Sequence, residues 1–477
     1  MKTKTPQLPL RSALLPVVLL VVLLAYNVFV FGDDALSGSN QFILIIGGAI
    51  AAVVGYRHNV SYSAMLDKVA ENVKSVTGAL LILLFVGALA GTWLASGIIP
   101  AMIYYGLQII HPSVFLPACI IICAIISIAT GSSWTTSATV GIALIGIGRA
   151  MGIDTGMIAG AVISGAYFGD KLSPLSDTTN LAPAMAGTDL FTHIRYMTNT
   201  TVPSIIITLI AFGFIGFFQT TTSSADLGEL LTAIEEKFTI TGWLFIVPTI
   251  VIVLIVKKFP PLIALLIGTL FGGLFAIIFQ PDVVLFISGE TTASSTATYK
   301  GILNAITVET SIPTTNPMLN ELFTAGGMVS MLGTIWLILS AMIFGGVMDA
   351  IGGLQSISNA LLKWAKNTFQ LFLSTVASCL AINLTASDQY LAIVVPGKMF
   401  SKAYASRKLA PENLSRTLED AGTVTSVLVP WNTCGAYQSG VLGVGVGEYF
   451  IYAIFNWLSP LMTLLFAALN IKIRRLL

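Results

Sequence analysis

Charged residues are scarce in this sequence: only 9% of its 477 residues are Asp, Glu, Lys or Arg. Soluble globular domains carry about 25%. So few charges cannot cover a water-facing surface, which excludes an ordinary soluble enzyme and a disordered chain. A formal net charge of +1 excludes a nucleic-acid binder that works by neutralising phosphates. The four cysteines all lie in apolar stretches, so buried thiols are favoured over disulfides or a metal site.

The sequence is rich in hydrophobic residues, which make up 55% of the chain and give it a mean hydropathy of +0.89. A spanning helix needs about 20 apolar residues. The apolar run that follows Arg11 is too long for a signal peptide, so we interpret it as a retained helix. The uninterrupted candidates are Ser12–Phe31, Phe42–Tyr56, Val76–Ala95, Val202–Gln219, Gly242–Val256, Pro261–Gln280, Met328–Met348 and Tyr449–Leu469. The pattern predicts a polytopic membrane protein.

Four further apolar stretches are interrupted by polar residues, and we call these interruptions the polar breaks. The stretches are 113–149, broken at 130–137; 154–187, broken at 169–180; 370–400, broken at 383–389; and 415–447, broken at 422–435. Non-helical backbone at membrane depth survives only where protein or a water-filled cavity satisfies its polar groups. The polar breaks are therefore the candidate functional segments.

The distribution of charge predicts an orientation. With the N-terminus inside, and with 113–149 and 370–400 as re-entrant hairpins, 19 of the 23 Lys and Arg residues fall in cytoplasmic segments. Both termini are then cytoplasmic, and 470–477 is a cytoplasmic tail. The segments left outside are acidic, and their acidic residues include Asp33, Asp34, Asp226, Glu229, Glu235, Glu236, Glu309 and Glu321.

The same arrangement predicts a repeat. Three spans, a hairpin, a broken span and a last span fill 12–219, and the same series fills 242–469. An extracellular linker, 220–241, joins the halves, and 281–327 is a second extracellular segment without a folded domain. Five crossings per half make the second half inverted relative to the first. We thus predict an all-α polytopic membrane protein with an inverted repeat of about 5+5 helices, two re-entrant hairpins and two broken helices, an architecture typical of secondary transporters.

Ionisable groups inside a membrane are expensive and usually functional. Four carboxylates in or next to the polar breaks are the candidate cation- and proton-binding groups: Asp170, Asp177, Asp388 and Asp420. Asp177 is the first choice, because hydroxyl and amide side chains surround it in sequence. Two alternatives stay open: Asp170 could pair with Lys171, and Asp388 could cap a helix. We expect Glu419 and Asp349 to lie near helix ends and to face water.

Neutral oxygens in the breaks are the candidate ligands of a small cation such as Na⁺. They are Ser132, Ser133 and Thr135; Ser176, Thr178 and Asn180; Asn383, Thr385 and Ser387; and Asn432 and Thr433. Trp134 and Trp431 also lie in breaks, where they could wall a cavity or simply pack. We expect no transition metal and no cofactor; Na⁺ and H⁺ are the expected ions.

Two runs of residues resemble the NhaC-type sodium/proton antiporter family. They are Gly131-Ser-Ser-Trp-Thr-Thr-Ser-Ala-Thr139 and Phe168-Gly-Asp-Lys-Leu-Ser-Pro-Leu-Ser-Asp-Thr-Thr-Asn-Leu-Ala182, and Asp420-Ala-Gly422 with Val429-Pro-Trp-Asn-Thr433 fits the family's second half. The resemblance implies a bacterial or archaeal inner-membrane protein in which a scaffold domain holds a mobile transport domain. It also implies Na⁺ efflux coupled to H⁺ entry. One branch of that family exchanges malate and protons for lactate and sodium.

Two transport hypotheses remain after this comparison. The first is Na⁺/H⁺ antiport, favoured because the breaks hold four carboxylates and only one lysine. The second is a sodium-coupled transporter of small organic acids or amino acids. An intramembrane enzyme is disfavoured, because the sequence contains no Gly-x-Gly-Asp, His-Glu-x-x-His or Gly-x-Ser-x-Gly motif. The expected partners are Na⁺, H⁺, the lipid bilayer and, for the second hypothesis, organic acids. A homodimer is a further hypothesis, and no nucleic acid is expected.

Overall fold

The computed structural model describes residues 8–31, 35, 38–218 and 224–476, without the side chains of 224–227, 317, 318 and 321. The acidic side chains of Asp33, Asp34, Asp226 and Glu321, which the predicted orientation places outside, lie beyond this description. So do residues 219–223, where the first half meets the predicted linker, and the last residue of the predicted tail.

The first half of the described chain is helical throughout. Its helices are α1 (Leu10–Phe31), α2 (Ser39–Arg57), α3 (Tyr62–Ala95), α4 (Ile98–Ile109), α5 (Pro112–Thr130), α6 (Ser133–Thr136), α7 (Ile142–Ala150), α8 (Thr155–Leu172), α9 (Asp177–Ala186) and α10 (Leu190–Phe217). A π-helical turn, Ser137–Gly141, joins α6 to α7, so the helix continues from 133 to 150.

The second half repeats this character with more short elements. Its helices are α11 (Ser224–Lys237), α12 (Ile246–Val256), α13 (Pro261–Phe279), α14 (Pro281–Ser288), α15 (Ser295–Thr307), α16 (Pro317–Leu322), α17 (Gly327–Ser330), α18 (Leu332–Ala350), α19 (Gly353–Trp364), α20 (Thr368–Thr385), α21 (Gln389–Ser406), α22 (Pro411–Leu418), α23 (Thr433–Leu442), α24 (Val446–Tyr449) and α25 (Ile454–Ala468). A π-turn, Glu419–Thr423, continues α22, and 3-10 turns lie at Gly242–Phe245 and Ser426–Leu428. Two short strands, β1 (Thr310–Ser311) and β2 (Thr324–Ala325), pair antiparallel.

Among the described residues, eight helices are long and apolar enough to cross a membrane: α1, α2, α3, α5, α10, α13, the segment Gly327–Ala350, and α20. Gly228–Lys237 and Gly242–Val256 pass the test only together, with an 84° bend between them. The chain is thus a mostly helical, multi-pass membrane protein, as predicted. Because α5 and α20 are long enough to span by themselves, composition does not decide whether they are arms of re-entrant hairpins, and that part stays a prediction.

Each predicted polar break contains helix ends. In the first break, α5 ends at Thr130, Gly131 adopts a left-handed φ of 70°, and Ser132 caps the next helix. Glycine suits that position because it has no Cβ to clash in the left-handed region. At the corresponding point in the second half, Ser387 holds a positive φ of 58° between α20 and α21. Helix ends also fall within the other two breaks, where α8 ends at Leu172, α9 begins at Asp177 and α23 begins at Thr433.

The order and length of the helices recur along the chain. Helices α4 and α19 both have 12 residues and both follow a left-handed glycine, Gly97 and Gly352. Helices α9 and α23 both have 10 residues and both end at a left-handed glycine, Gly187 and Gly443. The predicted repeat of three spans, a hairpin, a broken span and a last span stays a prediction, as does the inversion of one half relative to the other.

Segment 281–327, in which the sequence indicates no folded domain, contains short helices and two short strands. Of its elements, α15, α17 and β2 pack against α3, where glycine permits close contact between backbones. A Cβ added to Gly91 would overlap the carbonyl oxygen of Ala305, and one added to Gly87 would overlap that of Gly327. Packing against α3 therefore holds this part of the segment in place. The composition of the segment does not reveal that packing, because α3 is distant in sequence.

Candidate functional site

A cavity of about 540 Å³ lies where the polar breaks meet α3 and the loop between α12 and α13. Nine predicted site residues line it: Ser132, Ser133, Thr135, Asp170, Ser176, Asp177, Thr178, Asp388 and Thr433. Sequence reasoning missed the facing wall, which includes Ser75 on α3 and Lys258 in the α12–α13 loop. The structure thus gathers residues from all four breaks around one space.

The cavity has four helix N-termini on its wall. Ser133, Asp177, Gln389 and Thr433, the first residues of α6, α9, α21 and α23, all line it. A helix N-terminus carries partial positive charge and unpaired N–H groups. The partial positive charge of these ends therefore favours acidic groups or anions in the cavity.

Asp170, in the last turn of α8, is one of two buried carboxylates among the described residues that line the cavity, and Asp388 is the other. Asp170 is 8% exposed, and its Oδ2 accepts a hydrogen bond from Ser133 Oγ at 2.8 Å. The alternative pairing with Lys171 is wrong, since Lys171 binds a different carboxylate. Within the described part of the chain, no Lys, Arg or His forms an ion pair with Asp170. Its charge is therefore available to a bound cation or proton.

Asp177, the first choice from the sequence, is also on the cavity wall but is exposed there. It is the first residue of α9, and the preceding Ser176 caps that helix by accepting from Thr179 N. Asn180 does not line the cavity; its Nδ2 donates to the carbonyls of Pro174 and Ser176 and so stabilises the turn of the break. An exposed carboxylate holds an ion more weakly than a buried one, because water screens it.

Glu419 was expected to face water, and that expectation is wrong. Its side chain is fully buried at the start of the π-turn after α22. Its Oε1 accepts from Thr178 Oγ1 at 3.1 Å, whereas Oε2 has no hydrogen-bond partner in the described residues. Thr178 also contacts Ser176 at 3.1 Å between their hydroxyl oxygens. Glu419 is thus a carboxylate directly behind the cavity wall.

A signal for Glu419 was present in the sequence. Glu412, Arg416 and Glu419 recur every three or four residues, so they share a helix face that adjoins a polar break. All three are buried in the structure. Arg416, which the charge count places among the cytoplasmic cations, is therefore an interior residue.

Asp420 lies away from the cavity and is already saturated with donors. It pairs with Lys171, and it also accepts from Thr200 Oγ1 at 2.9 Å and from the Thr463 hydroxyl. Both side chains of the Asp420–Lys171 pair are fully buried. The Lys171 Nζ lies 5.6 Å from the ring centre of Phe455. This pair ties α8, α10, the π-turn and α25 together across the repeat.

Asp388 has both features that the sequence left open, since it caps a helix and also lines the cavity. It caps α21 by accepting from Leu391 N at 2.8 Å, and it lines the cavity while only 3% exposed. Next to it, Ser387 accepts from Thr433 N at 3.0 Å through its carbonyl oxygen. The Ser387 hydroxyl is buried and has no partner within the described chain.

Three other candidates of the second half, Asn383, Thr385 and Asn432, bond to backbone carbonyls and do not line the cavity. Asn383 donates to the carbonyl of Gly422 at 2.8 Å, and Asn432 donates to the carbonyl of Asn383 at 3.1 Å. The Thr385 hydroxyl donates to Ala381 O inside its own helix. These bonds satisfy the polar backbone that the breaks leave open.

The two tryptophans have different surroundings. Trp134 lines the cavity and stacks on Tyr437, with ring centres 4.1 Å apart. Trp431 donates through its indole N–H to Leu384 O at 2.9 Å and does not line the cavity. One aromatic ring thus forms part of the cavity wall, and the other supports the break.

Comparison with known proteins gives consistent matches. The model of the Na⁺/H⁺ antiporter family matches residues 165–471. The Na(+)/H(+) antiporter NhaC of Alkalihalophilus pseudofirmus is 39% identical over 430 residues, covering 90% of each chain. The malate-2H(+)/Na(+)-lactate antiporter of Bacillus subtilis is 37% identical over 445 residues, covering 93% of this chain and 90% of the relative. The NhaC antiporter of Bacillus subtilis is 34% identical over 399 residues, covering 83% and 85%.

Proposed function

The chain belongs to the Na⁺/H⁺ antiporter family, and from that premise we propose that it exchanges Na⁺ for H⁺ across a membrane. The family resemblance further supports the inner membrane of a bacterium or archaeon as its location. The proposal concerns a secondary transporter, in which the gradient of one ion drives the other.

The observation that carries the proposal is the state of Asp170. This carboxylate is buried, faces the cavity and accepts a hydrogen bond from a serine hydroxyl, and none of the described basic side chains pairs with it. A buried carboxylate needs neutralisation, and either Na⁺ or H⁺ provides it. Because only one of the two can neutralise the same charge at a time, binding of one releases the other.

Neutral oxygens near Asp170 are suited to complete the Na⁺ shell. Ser132, Ser133 and Thr135 lie in the polar break at 130–137, and Ser176 and Thr178 lie in the polar break at 169–180. Oxygen ligands of this kind are those that hard cations prefer. We propose that Glu419 carries a second exchangeable proton, because its free oxygen is buried and Thr178 connects it to this group.

Alternating access would require the breaks to move relative to α3 and α13. The cavity lies between those two groups of elements. Lys258 and Pro260 line it, and both belong to a loop that the charge distribution predicts to be cytoplasmic. We therefore propose that this conformation opens inward, and that an elevator-like displacement of the broken helices opens the site outward.

The test is a flux measurement in proteoliposomes. Purified protein should acidify or alkalinise the lumen in response to a Na⁺ gradient, and a K⁺ gradient of the same size should have no effect. A luminal pH that does not respond to Na⁺, in vesicles where the protein is folded and correctly inserted, would overturn the proposal.

The dimensions and electrostatics of the cavity favour a second candidate, the exchange of a small organic acid with Na⁺ and H⁺. About 540 Å³ is far more than one ion fills, and four helix N-termini and Lys258 could receive a carboxylate. A relative with 37% identity is a malate/lactate antiporter. Adding malate or lactate to the same assay separates the candidates: exchange that requires the acid supports the second, and exchange without it supports the first.

A further inference from the structure

A second cavity, of about 640 Å³, lies between the start of α10 and the C-terminal segment 470–476. Three of its lining side chains are cations: Arg195, Lys472 and Arg474. None of the described residues that line it is an aspartate or glutamate. The proposed exchange uses none of these residues, so the cavity, which we call the basic pocket, requires a separate explanation.

The basic pocket is preformed because the C-terminal segment is docked. The Tyr196 hydroxyl lies 2.6 Å from Asn413 Oδ1 and also contacts the carbonyl oxygen of Lys472. Ala410 N donates to Arg474 O at 3.0 Å. Lys472 itself adopts a left-handed φ of 50°, which costs energy for a residue with a Cβ. The fold therefore maintains this conformation against local strain, and it fixes the cations in place.

Positive charge at the pocket is only partly compensated. Arg474 pairs with Glu412 at 2.7 Å. Arg195 and Lys472 are exposed, and neither forms an ion pair with any residue that the structure describes. The bridge between Leu409 and Arg475 brings two more cations, Lys408 and Arg475, to the same end of the molecule. The pocket thus offers an anion two exposed cations that are not paired with a carboxylate among the described residues.

Apolar side chains beside these cations indicate a membrane interface. Phe191 lines the pocket and is 73% exposed, and Leu469 and Ile471, just before Lys472, are 60% and 42% exposed. The pocket lies at one end of α10, which is long and apolar enough to span the bilayer. Basic pockets between transmembrane helices at this level recognise the headgroups of anionic lipids.

We propose that the basic pocket binds the phosphate of an anionic phospholipid, with Arg195 and Lys472 at the phosphate and Phe191 beside the acyl chains. Phosphate is the recognised chemistry, and guanidinium and ammonium groups are its usual protein partners. The exposed apolar rim is the reason to assign a lipid rather than a soluble phosphate ester as the source.

The pocket is connected to the ion site through Tyr196. The Arg416 guanidinium lies 4.8 Å from the ring centre of Tyr196. Arg416 is fully buried, its nitrogens have no hydrogen-bond partner in the described chain, and its helix α22 leads directly into Glu419. One turn along α10, Thr200 donates to Asp420. A lipid in the pocket is therefore expected to influence exchange, a consequence that rests on the proposed function.

Lipid binding can be tested without measuring transport. We would titrate the full chain in detergent with phosphatidylglycerol or phosphatidylcholine and count bound lipids by native mass spectrometry. The test variant is R195Q/K472Q, which leaves the Arg474–Glu412 pair intact. The control is K363Q/K366Q, which removes two exposed cations near the α19–α20 turn. That turn lies at the same end of the molecule, because Arg407 donates to Asn367 O.

Wild type and control should bind phosphatidylglycerol at least 10-fold more tightly than phosphatidylcholine, and the test variant should lose that preference. Equal preference in the test variant and the control would overturn the proposal. Displacement of the lipid by equimolar glycerol phosphate would assign the pocket to a soluble phosphate ester and would also overturn it. Thermal unfolding in detergent without lipid serves to show that both variants are folded.

Exchange in vesicles of increasing phosphatidylglycerol content then separates the two proposals. Lipid preference in a protein that shows no Na⁺-dependent proton movement would contradict only the proposed function. Exchange that proceeds normally in a protein without lipid preference would contradict only the basic pocket. Stimulation of exchange by phosphatidylglycerol in the control, but not in the test variant, would support both.

Discussion

At the scale of single residues, we propose that exchange depends most directly on Asp170, because this carboxylate is buried at the cavity and pairs with no basic side chain that the structure describes. Asp170→Asn keeps the shape and the acceptor for Ser133 but removes the charge that Na⁺ and H⁺ would share. We expect exchange in proteoliposomes to fall at least 100-fold, since an interaction with a buried charge is worth about 3 kcal/mol or more. Normal exchange by a folded variant would remove Asp170 from the site.

A matched control for that change is Asp154→Asn at the other end of the same helix. Asp154 is exposed and caps α8 by accepting from Met157 N at 3.0 Å, a role that asparagine fills equally well. Its exchange rate should stay within twofold of wild type. The pair of variants separates loss of the buried charge from any general effect of replacing Asp by Asn in α8.

Glu419→Gln tests the second carboxylate. Glutamine keeps an acceptor for Thr178 but cannot release a proton, so fewer protons should move per Na⁺. We expect the coupling ratio, measured from the reversal potential of flux in proteoliposomes, to decrease by one proton. Should the ratio stay unchanged while the rate falls, Glu419 would be a structural group and not a proton carrier.

The Lys171–Asp420 pair should behave as a structural unit. Removing one partner, as in Asp420→Asn or Lys171→Met, leaves an uncompensated buried group at a cost of about 3–5 kcal/mol. We expect lower thermal stability in detergent for each single variant and partial recovery in Lys171→Met/Asp420→Leu. Additive losses in the double variant would show that the two side chains do not depend on each other.

At the scale of elements, the polar breaks unite two roles that the local sequence does not separate. Some of their hydroxyls satisfy backbone or helix ends, as Thr385 does with Ala381 O, whereas others reach the cavity or have no partner. The satisfied hydroxyls maintain the shape of the break. The unpartnered ones are the stronger candidates for binding an ion.

Ser387 and Thr385 provide a comparison within one break. The Ser387 hydroxyl is buried without a partner beside Asp388, so Ser387→Ala should weaken apparent Na⁺ affinity several-fold, corresponding to about 1 kcal/mol for one lost ligand. Thr385→Ala should change it less, because that hydroxyl is already bonded. The measurement is the Na⁺ dependence of exchange. Equal effects of the two changes, or an effect on protein yield alone, would make this tip structural.

At the scale of the whole molecule, the proposed mechanism needs two hairpin tips that approach the site from opposite sides. The orientation predicted from charge puts 401–408 in the cytoplasm and 150–154 outside. The four native cysteines are buried thiols, as predicted, so an impermeant thiol reagent should not label them. The topology can therefore be tested with single introduced cysteines.

Ser406→Cys should be labelled only from the cytoplasmic side, because Ser406 is exposed at the end of α21. For the opposite side, Thr155→Cys is preferable to Gly152→Cys. Gly152 has a φ of 74°, a conformation that strains any residue with a Cβ. Thr155→Cys should be labelled only from the outside. Rapid external labelling at 406 would mean that 370–400 crosses completely, and the predicted inversion would then be wrong.

The sequence by itself determined the membrane class, the positions of most spans and most of the polar residues around the cavity. Two spans differ: Gly242–Val256 qualifies only together with Gly228–Lys237, and the predicted span Tyr449–Leu469 is interrupted between α24 and α25. The features that the sequence determined are local: hydropathy requires about 20 apolar neighbours, and a helix ends where capping and turn residues interrupt it. The breaks at Gly131 and Ser387 can therefore be predicted from the local sequence, without knowledge of the segments that pack against them.

Only the tertiary structure decided which carboxylates share the cavity and which are paired. Lys171 and Asp420 are 249 residues apart, and Thr178 reaches Glu419 across 241 residues. The burial of Glu419, the exposure of Asp177 and the docking of the C-terminal segment on Tyr196 likewise depend on packing between distant segments. No local pattern determines such contacts, because the energy that fixes them arises when the two halves pack together.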